Sequence, residues 1–158
     1  MNKEEQRLLA GLIRRHRWAA LATLAKDASP EASWVAYACD DDFSSFLLHL
    51  SQLSSHTKNL IRDARASLAI SEAENEGDPQ ELARVTLQGQ VTFIPRETAD
   101  HQVLAKRYLQ RLPEAERLFG FGDFMLFRFT PVRVRFIAGF ARAYTLDIEA
   151  LRNASTVC

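Results

Sequence analysis

Leu47-Leu48-His49-Leu50-Ser51-Gln52-Leu53-Ser54-Ser55-His56-Thr57-Lys58-Asn59-Leu60 is the stretch on which the reading of this chain turns. An apolar run that stops at a polar loop and passes straight into helix-forming residues describes a buried strand feeding a helix. The helix start gathers three hydroxyls (Ser54, Ser55, Thr57), the imidazole of His56 and the ammonium of Lys58. Unpaired backbone N–H groups and the positive end of the helix dipole make such a start a natural anion site, and a phosphate suits these donors. The same residues also read as an ordinary cap, because serine is a preferred N-cap. The rest of the chain has to decide.

With 158 residues, 47% hydrophobic and 25% charged, the sequence fits one globular domain able to bury its own core. Twenty basic residues balance twenty acidic ones, so no net field favours nucleic acid or an anionic membrane surface. Cys39 and Cys158 are far apart and form no Cys-x-x-Cys pattern, so no structural metal is expected. Met1-Asn2-Lys3-Glu4-Glu5 lacks the character of a signal peptide, and no apolar run approaches a membrane span. The expectation is a soluble, cytoplasmic protein.

Outward from the opening stretch, the periods change in order. Residues 3–17 read as an amphipathic helix with an Asn2/Glu5 capping box, and residues 19–25, 31–39 and 46–51 as a three-stranded antiparallel meander. A helix over 55–62 is followed by strands at 66–72 and 83–93, and by a helix from Thr98 to about Leu112. Strands at 124–130 and 132–138, divided by Pro131, precede an extended segment at 140–146 and a short helix at 148–152. The pattern predicts a mainly β (α+β) fold: a six- to seven-stranded antiparallel split β-barrel with flanking helices in a single domain.

Several site types are missing. There is no Gly-x-Gly-x-x-Gly or Walker loop, no Gly-x-Ser-x-Gly elbow, and none of the four histidines has metal-ligand spacing. What remains is a constellation: the helix start Ser54–Lys58, the strand Ser33-Trp34-Val35, the strand residues His49 and Ser51, and Arg84. Polar strand residues beside an anion-binding helix start suit a phosphorylated planar cofactor, with a strand edge bonding the ring and aromatic side chains covering it. Singly, each has a plainer reading: Trp34 and His49 as core, Arg84 as a surface residue.

The order of motifs carries a resemblance. Ala22-Thr23-Leu24, Pro30-x-x-Ser33, Leu50-Ser51, His56-Thr57-Lys58-Asn59-Leu60, Ala83-Arg84-Val85-Thr86-Leu87-Gln88-Gly89, Phe121-Gly122-Asp123-Phe124 and Gly139-Phe140-Ala141-Arg142-Ala143-Tyr144 follow one another along the chain. The series resembles the flavin-binding split-barrel family related to pyridoxamine 5′-phosphate oxidase, and within it the haem-utilisation branch. The resemblance implies a homodimer with FMN at the subunit interface and a small-molecule substrate. The segment Ser33-Trp34-Val35 would lie along the flavin ring. Ser51 and Ser54–Lys58 would hold the phosphate, Arg84 would face the cofactor, and Phe140 and Arg142 would approach from the partner chain. The implied activity is an FMN-dependent oxidoreductase passing electrons between a reductant and a small or planar substrate, with catalytic residues unknown. Haem handling in the same cleft, or a non-catalytic flavin- or ligand-binding module, is the alternative. Departures narrow this. Ser55-His56 stands where pyridoxamine phosphate oxidases carry an Arg-Lys pair, so vitamin B6 oxidation is not expected. No histidine follows His101, so the haem-iron ligand that haem-degrading relatives place in a C-terminal extension is not expected either.

Overall fold

A computed structural model describes residues 1–157. The chain runs α1 (Lys3–Arg15), β1 (Trp18–Leu24), β2 (Pro30–Ala36), β3 (Ala38–Cys39), β4 (Phe46–Ser51), α2 (Ser55–Arg62), β5 (Arg65–Ser71) and β6 (Arg84–Ile94). It continues with α3 (Ala99–Arg111), α4 (Glu116–Phe119), β7 (Phe124–Ile137), β8 (Ala143–Leu146) and α5 (Ile148–Ser155). All eight strands belong to one antiparallel sheet in the order β2-β1-β5-β6-β7-β4-β3, with β8 added to the far half of β7. The sheet curls into a half-barrel, so the mainly β split-barrel expectation holds, with eight strands in place of six or seven.

Local chemistry explains the elements. Asn2 and Glu5 close the capping box on α1, each side chain accepting from the other's backbone N–H at 2.9 Å. Leu9, Leu12 and Ile13 then face the barrel interior with none of their surface exposed. The interior is filled by alternate strand residues, including Phe46, Phe127, Phe129 and Phe136, each at most 1% exposed. Burial of each such ring contributes about 2–3 kcal/mol. A second, smaller core lies on the outer face, where Leu47, Ile94 and Leu126 pack beneath Leu104 and Tyr108 of α3. β4 is therefore covered on both faces, which is why it reads as an unbroken apolar run.

Two expectations change. The expected second strand, residues 31–39, divides at Tyr37: β2 pairs only with β1, while β3 pairs with the third strand, β4, which pairs in turn with β7. This gap between β2 and β4 is the split in the barrel, and α2 packs across β1 and β2 beside it. The two strands expected around Pro131 are one strand of 14 residues. Pro131 lies opposite Gly89, where the β6–β7 register shifts, so its missing N–H falls at a bulge. Shorter revisions place the final strand at Ala143–Leu146 and extend the last helix to Ser155.

Gly89 is obligatory at that bulge: a Cβ there would stand 2.2 Å from the Thr130 carbonyl oxygen and 2.8 Å from the Phe129 ring. Gly89→Ala is expected to destabilise the fold by about 1–3 kcal/mol, the usual cost of overpacking. A lowered urea midpoint checks this; an unchanged midpoint contradicts it.

Candidate functional site

β2 is an edge strand with an exploitable backbone. The Tyr37 N–H donates to the Arg17 carbonyl at 3.0 Å and the Ala25 N–H to the Ser29 carbonyl at 2.9 Å. With the β1–β2 register, this assigns odd-numbered β2 residues to the hydrogen-bonded pairs. The N–H and C=O groups of Ala32, Trp34 and Ala36 therefore point to the open side of the strand. Such an edge offers both donors and acceptors to a planar heterocycle.

The start of α2 is pinned over this edge. Ser33 Oγ and His56 Nδ1 lie 3.0 Å apart. Asn59 Nδ2 donates to Thr23 Oγ1 at 3.1 Å and to Glu31 Oε2 at 2.8 Å, and Arg62 bonds the Asn59 side-chain oxygen and the Leu24 carbonyl. The N-cap, Ser54, makes no side-chain capping bond, and the first turn holds no acidic residue. Its N–H groups remain available, with Ser55 and Lys58 exposed beside them. Burial lowers the His56 pKa, so this ring supplies a neutral hydrogen-bonding group and Lys58 supplies the charge. A phosphate with a planar ring attached fits this pairing of helix start and strand edge.

The other expected residues are placed differently. Val35 is buried in the interior, and Thr57 is wholly buried with Oγ1 unpartnered, so neither side chain reaches the edge surface. Ser51 Oγ donates to Asp123 Oδ2 at 2.9 Å and accepts from the Leu53 N–H at 3.2 Å, shaping the loop that leads into α2. Arg84 donates to the carbonyls of Gln80 and Leu82 on its own loop. Phe140, 75% exposed, tips the β7–β8 turn, where Gly139 has φ +126° and Arg142 bonds the Ala138 carbonyl. This aromatic tip stands clear of its own fold.

His49 departs most from the grouping. It stacks on Phe119 at 3.7 Å between centroids, with Tyr108 and Phe124 around it, and is 7% exposed beneath α3 and α4. It belongs to the outer core and has no open face for a ligand.

Sequence reading passed over Trp18, Glu31 and Asn59. Trp18 stacks with Trp34, centroids 6.1 Å apart and planes 3° from parallel, and both are more than half exposed. The alternation Trp18-x-Ala20-x-Ala22-x-Leu24 was the available signal, because it puts an apolar row on the same face as Ala32, Trp34 and Ala36. Among the described residues, no group of three or more His, Cys, Asp or Glu side chains could hold a metal ion, and no helix is long and apolar enough to cross a membrane.

Burial, with Arg96 and His101 nearby, lowers the His49 pKa from 6.5 to about 4. The unfolded chain binds this proton near pH 6.5 and the native state resists it, so the stability from neutral His49 is present above pH 6.5 and lost as pH falls toward 4. The full effect is about 3 kcal/mol. Replacing His49 with Phe should flatten the stability profile between pH 7 and 5 relative to the parent; identical slopes would count against the buried neutral ring.

Residues 6–138 match the family model described as pyridoxamine 5′-phosphate oxidase. The chloroplastic heme oxygenase HOZ of Arabidopsis thaliana is 34% identical over 117 residues, 73% of this chain and 34% of that protein. A heme-binding protein from Mycobacterium smegmatis superposes with a TM-score of 0.81 at 30% identity, over 96% of this chain and 60% of that one. HutZ, the heme storage protein of Vibrio cholerae, shares the fold with a TM-score of 0.68 at 23% identity, over 75% of this chain and 84% of that chain. The chain thus spans about a third of the plant protein and three fifths of the mycobacterial one. With most of its length matched by the family model, this chain belongs to the pyridoxamine 5′-phosphate oxidase family.

Proposed function

We propose that this chain is an FMN-binding oxidoreductase domain that works as a homodimer, its cofactor lying along the open edge of β2. The observation that carries the reading is the adjacency of two unsatisfied backbone features. The free edge groups of Ala32, Trp34 and Ala36 stand beside the uncapped start of α2. Membership of the family supports the cofactor class.

In this reading the first-turn N–H groups of α2, with Ser55 and Lys58, hold the phosphate. The Trp34 backbone orients the ring system, and Ser33 and His56 keep strand and helix in register. When bound, the flavin supplies the redox chemistry between a reductant and a small or planar substrate. The dimer accounts for the sheet's outer face over β1 and β2, which presents Trp18, Ala20, Ala22, Ala32, Trp34 and Ala36 as one apolar surface. A second copy of the chain covers that surface, and the projecting Phe140 of each copy reaches toward the other's cleft.

Haem handling is the second reading. It is favoured by the flat, exposed Trp18–Trp34 pair, which suits a large planar ring, and by the names of the relatives at 30% identity or more.

Purified protein titrated with FMN is expected to quench flavin fluorescence saturably, and Lys58→Ala to weaken binding about tenfold, as loss of a charge-assisted contact does. Failure to bind FMN together with a shifted Soret band on adding haem would replace the first reading with the second. Sedimentation is expected to give a dimer, with Trp34→Asp shifting it to monomer. A monomeric parent would remove the interfacial site.

A further inference from the structure

A second polar recess lies on the outer face of the sheet, away from the β2 edge. Register places Thr86, Arg135 and Thr145 in one row across β6, β7 and β8, with Gln88 and Arg133 in the next. These five residues line a depression of about 300 Å³. All five side chains are hydrogen-bond donors: two guanidiniums, two hydroxyls and one amide. No carboxylate and no apolar side chain enters the lining.

The charge balance there is unusual for a chain with no net charge. On the open outer face of β1, β2, β5, β6, β8 and the far half of β7, the registers place Arg65, Arg84, Arg133 and Arg135 and no Asp or Glu. Arg65 is neutralised by Asp63, and Arg84 is taken up by two carbonyls of its own loop. Arg135 has only the Thr145 hydroxyl, at 3.0 Å, and Arg133 has no partner among the described residues. Two guanidiniums two residues apart on one strand face repel each other, and among the described residues no carboxylate forms an ion pair with either.

We infer that this recess binds a small oxyanion, a phosphoryl or carboxylate group, held in a fork by Arg133 and Arg135 and completed by Thr86, Gln88 and Thr145. Guanidinium pairs bind such groups bidentately, and the flanking hydroxyls and amide supply the remaining donors. The recess is separate from the helix start at Ser54–Lys58. β7 lies four strand steps from β2, roughly 19 Å of sheet at the usual strand spacing. The inference needs neither FMN nor the dimer; it identifies the ligand as anionic and places its charged end on the β6–β8 side of the sheet.

The test titrates full-length protein with inorganic phosphate and, separately, citrate at constant ionic strength, by calorimetry and by ¹⁵N amide spectra. Saturable binding is expected, with shifts at Thr86, Gln88 and Thr145. Tighter phosphate marks a phosphoryl ligand and tighter citrate a carboxylate one. An Arg133→Gln/Arg135→Gln double variant is expected to lose at least about tenfold in affinity. Its unfolding temperature without anion should be unchanged or higher, since a repulsion has been removed. Arg117→Gln, at an exposed arginine on α4, should bind as the parent does. No saturable binding, equal affinity in the double variant, or shifts confined to Ser55–Lys58 would overturn the site. FMN affinity unchanged in the double variant separates this outcome from the fate of the flavin reading.

Discussion

An unpaired strand edge inside a barrel is the constraint on which the rest of this structure depends. Backbone N–H and C=O groups left without partners attract other strands or other ligands, and proteins normally cover them. Here the chain leaves β2 after Ala36, crosses at Tyr37 and builds β4 against β7 instead of against β2. The opening that results is held by α2 through Asn59, whose amide joins Thr23 to Glu31, and through the Ser33–His56 contact. Without those bonds the helix start would have no fixed relation to the edge. With them, the uncapped helix start and the open strand edge lie side by side.

Much of this was legible in the sequence. β4 and α2 coincide with their expected bounds, Phe46–Ser51 and Ser55–Arg62, because a continuous apolar run ending in a serine-rich cap leaves little choice of period. Pairing was harder to read. Adjacent strands with short connections usually pair, which favoured the meander. What divides it, leaving β1–β2 and β3–β4 as separate pairs, is the full burial of β4 by α3 and the barrel interior, a relation between segments far apart in sequence. Pro131 read as a break for a sound local reason, yet its lost hydrogen bond falls where Gly89 already forces a bulge.

The candidate site divides along the same line. Residues whose placement follows from position on an element, such as Ser55 and Lys58 on the first turn of α2, were visible because helix starts have a local signature. His49 was not, because a histidine on a buried strand looks alike whether it faces a ligand or an aromatic cluster; only the arrival of Phe119 and Tyr108 from distant helices decides. Trp18 and Asn59 were passed over for the opposite reason. An apolar strand residue and a helical asparagine are ordinary until the fold places one beside Trp34 and the other between Thr23 and Glu31.

The outer face repeats this pattern at larger scale, apolar over β1 and β2 and cationic over β6 to β8, an asymmetry that a balanced overall charge conceals. The central claim, that the open β2 edge and the α2 start form one flavin site, is tested most directly by amide spectra of the ¹⁵N-labelled protein during FMN addition. The account predicts that the amides of Ala32, Trp34 and Ala36 shift together with those of Ser55–Lys58, with one shared affinity. FMN binding that leaves the β2 amides unmoved, or no binding at all, would contradict it.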